Sequence, residues 1–176
     1  MSNRINICDI VFGHFRTLRQ TSNNKIGFLE LFIFIILPVI LSITIVFVPL
    51  QNKEIISLLV NLGSIFSALL LSVLVLVFDQ EQKLEDRKEI AEEKGKGVDP
   101  LFSTKKTLLE ELYYNISYSV FCSIVLVSLC LLYSSIKYIY ILHGFILKPL
   151  IAFILINILL NILMILKRMH TLLVNR

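Results

Sequence analysis

Few residues in this chain are equipped for covalent chemistry. The histidines are His14, His143 and His170, and the cysteines are Cys8, Cys122 and Cys130. A tetrahedral metal site needs four donors that converge on one point. The spans derived below scatter these six between an inner surface, an outer connection, the membrane and an inner tail, so no metal site is predicted. Intramembrane proteolysis needs a nucleophile and a base at membrane depth. Gly63-Ser64 offers a hydroxyl, but no membrane-embedded His, Lys or paired Asp accompanies it. No Walker-type glycine loop and no dinucleotide fingerprint occur. The expectation is a protein that is not an enzyme and carries no cofactor. The cysteine count is odd and two cysteines lie in one apolar run, which points to packing residues rather than a disulfide framework.

Uncharged polar residues in helical register are the stronger signal. Ser57, Asn61, Ser64, Ala68 and Ser72 are spaced by four, three, four and four residues, which is one face of a helix. Gly63 and Ser67 sit beside that face. Small and hydroxylated residues let helices approach closely in lipid, and Asn can bond across a helix pair. Two readings follow: a helix–helix seam, or a pore wall formed between copies of the chain. Shorter polar sets occur at Asn115, Ser119 and Ser123, and at Asn157 and Asn161.

The charges form two blocks of opposite sign. Residues 79–93 hold seven acids against three bases. Such a run serves as a solvated or coiled-coil face, and beside a pore it biases towards cations. Residues 94–106 carry Lys94, Lys96, Lys105 and Lys106 against Asp99 alone. Lysines among glycines either hold phosphates or form a soluble tip. Arg16, Arg19 and Lys25 make a second basic set, which anionic lipid or a phosphate ligand would satisfy.

These residues must be positioned by elements that suit the composition. Of 176 residues, 56% are apolar and 17% charged, against about 25% charged in a soluble domain. The mean hydropathy is +0.81. Disorder is excluded, and a soluble enzyme this small has too little interior to hide so much apolar surface. A bilayer core about 30 Å thick takes about 20 apolar residues of helix. Four stretches qualify: Phe28–Leu50, Ile55–Phe78, Leu112–Ile136 and Ile146–Leu166. Glu30 lies at the start of the first, near the interface. Pro38 predicts a kink within it. The length of this stretch and its long polar approach argue against a cleaved signal.

Counting Lys and Arg in alternate compartments puts fourteen on one side and three on the other. The positive-inside rule then places both termini and the central connection, residues 79–111, in the cytoplasm. Tyr113, Tyr114 and Tyr118 fall at one end of the third span, and Tyr133, Tyr138 and Tyr140 near the other, levels that amphipathic rings favour. From Asp79 to Lys94 the sequence is a strong helix former with opposite charges three and four residues apart. The second span therefore continues as one long helix. GKGVDP breaks it, and Asp99-Pro100 starts a new helix that runs into the third span. Residues 5–20 place Ile7, Ile10, Val11, Phe15 and Leu18 on one stripe, an amphipathic helix that either anchors at the surface or gates the bundle.

The expected architecture is all-α. Residues 1–25 form a cytoplasmic amphipathic helix, and residues 26–176 a four-transmembrane-helix domain with a cytoplasmic helical hairpin over 79–111. The expected location is the bacterial inner membrane. A four-helix monomer has no room for an aqueous channel, so any pore must lie between subunits, with weak selectivity from a neutral lining.

The segment HFRTLRQTSNNKIGFLELFIFIILP, residues 14–38, resembles the entry to the first span in small four-helix membrane proteins of bacterial antiphage defence, nearest the membrane effector of the Hailong system. The likeness covers the amphipathic segment, the first span, the overall span plan and the length. The distinct helical hairpin departs from a plain inward-facing loop. The resemblance implies a tetrameric channel that depolarises the inner membrane. It also implies a companion nucleotidyltransferase whose short single-stranded oligodeoxyadenylate holds that channel shut. Lys94, Lys96, Lys105, Lys106, Arg16 and Arg19 are then the candidate ligand contacts.

Three functions compete: a gated channel effector, a membrane scaffold that binds a cytosolic partner through the hairpin, and a holin-like lesion former. A proton-coupled exporter built on Glu30 is disfavoured, because Glu30 lies away from the midplane.

Overall fold

A computed structural model describes residues 7–17, 32–47, 53–95, 97, 100–135 and 142–174. Among the described residues the chain is all-helical, without strands. Helix α1 is Ile7–Thr17. A π turn, Phe32–Ile36, leads into α2, Leu37–Thr44, which ends in a 3₁₀ turn at Ile45–Phe47. Helix α3 is Lys53–Glu93 and α4 is Phe102–Ser135. A second π turn, Leu142–Leu147, leads into α5, Lys148–Val174.

Three helices are long and apolar enough to cross a membrane: Glu54–Glu93, Phe102–Ser135 and Gly144–Leu172. The molecule is a membrane-embedded, multi-pass protein. The apolar helix Phe32–Thr44 is shorter than a span. Residues 28–31 and 48–50 of the expected first span, Glu30 included, lie outside the described residues, as do Leu18, Asp99, Tyr138 and Tyr140.

Helix α3 has 41 residues, so it is roughly 60 Å long, about twice the thickness of the hydrocarbon layer. Its apolar half is rich in leucine and valine. Three of its serines return hydrogen bonds to their own helix: Ser64 Oγ donates to Val60 O at 2.8 Å, Ser67 Oγ to Gly63 O at 3.0 Å and Ser72 Oγ to Ala68 O at 3.1 Å. Such bonds leave none of these three hydroxyls unsatisfied in lipid.

Both π turns end two residues before a proline, Pro38 and Pro149. Proline has no N–H for the preceding turn and its ring crowds the carbonyl four residues back. Widening that turn relieves both problems. The expected disturbance at Pro38 therefore takes the form of a π turn upstream of it.

Helix α4 is the hub. It packs against α3 on one side, α5 on another and α1 near Tyr114, while α2 packs on α5. One apolar cluster joins Leu70 and Val77 of α3 to Leu109, Leu112 and Ile116 of α4 and Ile165 of α5. A second joins Leu126 and Cys130 of α4 to Ile151 and Ile158 of α5. Cys122 and Cys130 are free and buried, whereas Cys8 is exposed.

Helices α3 and α4 approach closely at Gly63. A Cβ there would lie 2.8 Å from Val127 Cγ2 and 3.4 Å from Ser123 O. Gly63→Leu must push the two helices apart. The expected result is a loss of about 1–3 kcal/mol, read as a lower thermal midpoint of the detergent-solubilised protein, whereas Ser64→Ala on the outer face leaves the midpoint within a degree or two of the wild type.

Candidate functional site: an outward polar stripe and a buried polar junction

The five residues of the expected stripe share one fate. Ser57, Asn61, Ser64, Ala68 and Ser72 are all exposed, on the face of α3 turned away from α4. Gly63, Leu70 and Val77 of the same helix are buried. The stripe is therefore not the seam within one chain; the seam runs through Gly63. The stripe is open to lipid or to another copy. The Ser64 and Ser72 hydroxyls are satisfied locally, as described above. The Asn61 amide has no such short-range bond to its own backbone and presents its donors and acceptor outward.

The second polar group is buried where α1, α4 and α5 meet. His14 and Asn115 are sealed from solvent. His14 Nδ1–H donates to Asn115 Oδ1 at 2.8 Å. The Thr17 hydroxyl lies 2.8 Å from the same oxygen and 2.7 Å from His14 O, so its single hydrogen is shared between them. The His14 ring stacks on Tyr118, with centroids 4.1 Å apart and planes within 3°. Gly13 lies against the Tyr114 ring, where a Cβ would collide with it. Arg168 of α5 completes the junction. Its Nη2 donates to Thr17 O at 2.9 Å, and the same atom lies 3.3 Å from Glu111 Oε2 of α4. Thr17 is the last residue of α1, so this guanidinium caps a carbonyl that the helix itself leaves unbonded and meets the negative end of its dipole.

The apolar stripe expected of α1 is divided between the bundle and the outside. Ile7 and Phe15 are exposed, and Phe12 is 73% exposed. The inward face is His14, with Gly13 and Thr17 beside it and Ile10 and Val11 half-buried. Hydrogen bonding to Asn115 selects that face over the more apolar one. Leucine and phenylalanine spacing carries no trace of this, because the pairing spans about 100 residues of sequence.

Asn157 and Asn161 of α5 are buried, and so are Ser119 and Ser123 of α4. The two serines bond back to Asn115 O and Ser119 O, each at 2.8 Å. Neither amide atom of Asn161 has a hydrogen-bond partner among the described residues.

The described members of the expected basic set lie in different surroundings. Lys106 Nζ donates to Glu85 Oε1 at 2.7 Å across α3 and α4. That bond, with the ammonium charge, holds the Glu85 carboxyl below the usual carboxylate range and raises Lys106. Lys94 is exposed just past the end of α3, Lys105 is half-buried, and Arg16 is exposed on α1. Lys96 and Arg19 lie outside the described residues. Helix α1 meets α4 near Asn115, nine residues or roughly 13 Å along the axis from Lys106.

No family model, curated protein or solved structure matches this chain.

Burial drives the His14 pKa down to about 4; the Asn115 bond opposes the shift, and the Arg168 charge adds to it. A depressed folded value means that the neutral ring belongs to the docked state. Docking of α1 is then at full strength above pH 6.5 and weakens as pH falls towards 4, by up to tenfold per unit. Hydrogen exchange of the α1 amides should rise between pH 7 and pH 5, after correction for intrinsic rates. His14→Gln should flatten that dependence.

Proposed function

We propose that this chain is the membrane effector of a bacterial antiphage system, a homo-oligomeric ion channel that depolarises the inner membrane when released from inhibition. The carrying observation is the outward position of Asn61 within the Ser57–Ser72 stripe. An amide facing hydrocarbon without a partner is costly. Water in a pore, or the same stripe on a second copy, removes that cost. Three long helices with α4 buried at their centre leave no aqueous passage through one chain. The pore is accordingly assigned to the space between copies, lined by Ser57, Asn61, Ser64, Ala68 and Ser72.

In this reading the segment around Phe32–Phe47 completes a fourth span. The fourteen-to-three division of Lys and Arg sets both termini and the α3–α4 connection in the cytoplasm. The distal half of α3 and the start of α4 form a cytoplasmic hairpin, braced by the Lys106–Glu85 pair. The likeness of residues 14–38 to the Hailong membrane effector favours a tetramer. By the same likeness, its inhibitor is a single-stranded oligodeoxyadenylate made by a companion nucleotidyltransferase, with contacts drawn from Lys94, Lys96, Lys105, Lys106, Arg16 and Arg19. Helix α1, held by a handful of polar bonds, is the element whose release would open the channel.

Asn61→Leu keeps the helix and its hydropathy, so insertion and assembly into liposomes should be preserved while ion flux falls at least tenfold. Unchanged flux in this variant would remove α3 as the pore wall. Release of a soluble enzyme of tens of kilodaltons along with ions would indicate a holin-like lesion. Absence of flux in the wild type, with capture of a cytosolic protein that depends on residues 84–106, would indicate a scaffold.

A further inference from the structure

An open groove of about 640 Å³ runs between α3, the start of α4 and the end of α5. Its volume is that of a small-molecule site. One end is apolar, floored by Val73, Val77, Leu109, Leu112, Met169 and Leu172. The other end carries Lys83, Arg87, Lys88 and Lys105, and no carboxylate lines it among the described residues. From Val73 to Arg87 is fourteen residues of one helix, or about 21 Å. The two ends are therefore separated along the axis, as the tail and head of an amphiphile are.

The apolar end is continuous with the lipid-facing surface. Leu76 lines the groove and is 60% exposed, and Val75 and Phe78 beside it are also exposed. Asp79 then begins the charged part of α3, so the basic end lies where hydrocarbon gives way to headgroups. Lys83, Lys88 and Arg87 are available at modest cost. Among the described residues Lys83 pairs with Asp79 and Lys88 with Glu92, four residues away on the same helix and in solvent-exposed pairs, which are weak. Lys88 also lies 5.4 Å above the Phe102 ring. Among the described residues Arg87 has no ion-pair partner.

We propose that this groove binds an anionic phospholipid, with its headgroup phosphate held by Lys83, Arg87 and Lys105 and its acyl chains lying along Val73, Leu76 and Val77 into the bilayer. Charge complementarity calls for an anion, and the dry floor calls for hydrocarbon on the same molecule. A nucleic acid strand would meet both requirements less well. Strands are held by aromatic platforms for their bases, and the aromatic ring here, Phe102, already lies beneath Lys88. An arginine suits the site because its planar fork can take two oxygens of one phosphate. The bound lipid would fasten α3 to α4 and α5 at the inner boundary. The proposal requires a membrane-embedded chain but not a channel, so it stands or falls separately from the pore assignment.

The test uses the full-length protein in detergent and native mass spectrometry with phosphatidylglycerol and phosphatidylcholine of identical chains. Phosphatidylglycerol should be retained at least tenfold more than phosphatidylcholine. The combined change Lys83→Gln, Arg87→Gln and Lys105→Gln should abolish that preference. Lys83→Arg with Lys105→Arg should keep it. Leu84 lines the groove between its two ends; Leu84→Trp, which fills that space without altering charge, should reduce retention of phosphatidylglycerol several-fold, and it serves where the triple variant is lost to aggregation. Equal retention of the two lipids, or an undiminished preference in the triple variant, overturns the proposal. Displacement of phosphatidylglycerol by a single-stranded oligodeoxyadenylate that is itself retained reassigns the groove to nucleic acid. A dimer that disappears in the triple variant, without lipid selectivity, reassigns it to a second copy of the chain.

Discussion

Asn115 Oδ1 accepts the hydrogen bond of His14, and the Thr17 hydroxyl is directed at the same oxygen. That atom lies on α4, the helix that touches α1, α3 and α5. In lipid, apolar faces gain little by meeting each other, because acyl chains are equally apolar. What fixes one helix against another is close packing together with polar groups that have nowhere else to go. The junction of His14, Asn115, Thr17, Arg168 and Glu111 supplies the polar part, and the Gly63 contact supplies close packing. Between them they orient α1 and α5 at one level of α4 and α3 at another. The arrangement also explains how Arg168 and Glu111 tolerate partial burial: each answers the other's charge, and Arg168 in addition satisfies the end of α1.

Much of this was legible in the sequence, and the illegible part has a definite cause. Hydropathy over about 20 residues reports α3, α4 and α5 directly, because spanning hydrocarbon is a constraint on local composition. Strong helix formers carry α3 unbroken to Glu93, and the glycines that follow stop it. The spacing of Ser57 through Ser72 correctly describes a single face. Which face it is was not legible, since a small-residue stripe suits a seam and an outer surface equally well. Gly63, one residue from Ser64, decided that question by its closeness to Val127 and Ser123. His14 was not legible as a packing residue at all, because its partner is set by the fold and its neighbours Phe12 and Phe15 advertise a different face. Among the lysines of residues 94–106, Lys106 turns to Glu85 and Lys105 lines the groove between α3 and α4, a division that their spacing in the sequence does not reveal.

Two asparagines make the point about context. Asn61 and Asn161 lie on apolar helices with similar neighbours, and neither sequence window separates them. Asn161 is enclosed, with neither amide atom bonded among the described residues, while Asn61 faces outward. An enclosed, unbonded amide lowers the stability of the arrangement that encloses it. It thereby narrows the gap to any other packing of α4 against α5 in which the amide finds a partner. An outward amide instead raises the energy of the isolated protomer in lipid and favours association. The same residue type thus bears on the internal packing at Asn161 and, in the proposed reading, on assembly at Asn61.

The length of α3 ties these levels together. A helix of roughly 60 Å whose apolar half ends at Phe78 must carry its charged half out of the hydrocarbon. Because α4 runs beside it over much of that distance, the two share apolar side chains such as Leu84 and Leu109 beyond the membrane boundary. A tilt or rotation of α3 at the level of Asn61 therefore reaches the level of Lys83, Arg87 and Glu85 as a rigid displacement rather than fading at the surface. Rotation would change the stripe offered to a neighbouring copy and the spacing between the cations on α3 and Lys105 on α4 together. Anything that fixes that spacing, whether the Lys106–Glu85 pair or an anion between the helices, also fixes the face presented in the membrane. Coupling of this kind needs no pathway of moving side chains; it follows from a stiff rod held at Gly63 and charged at its far end.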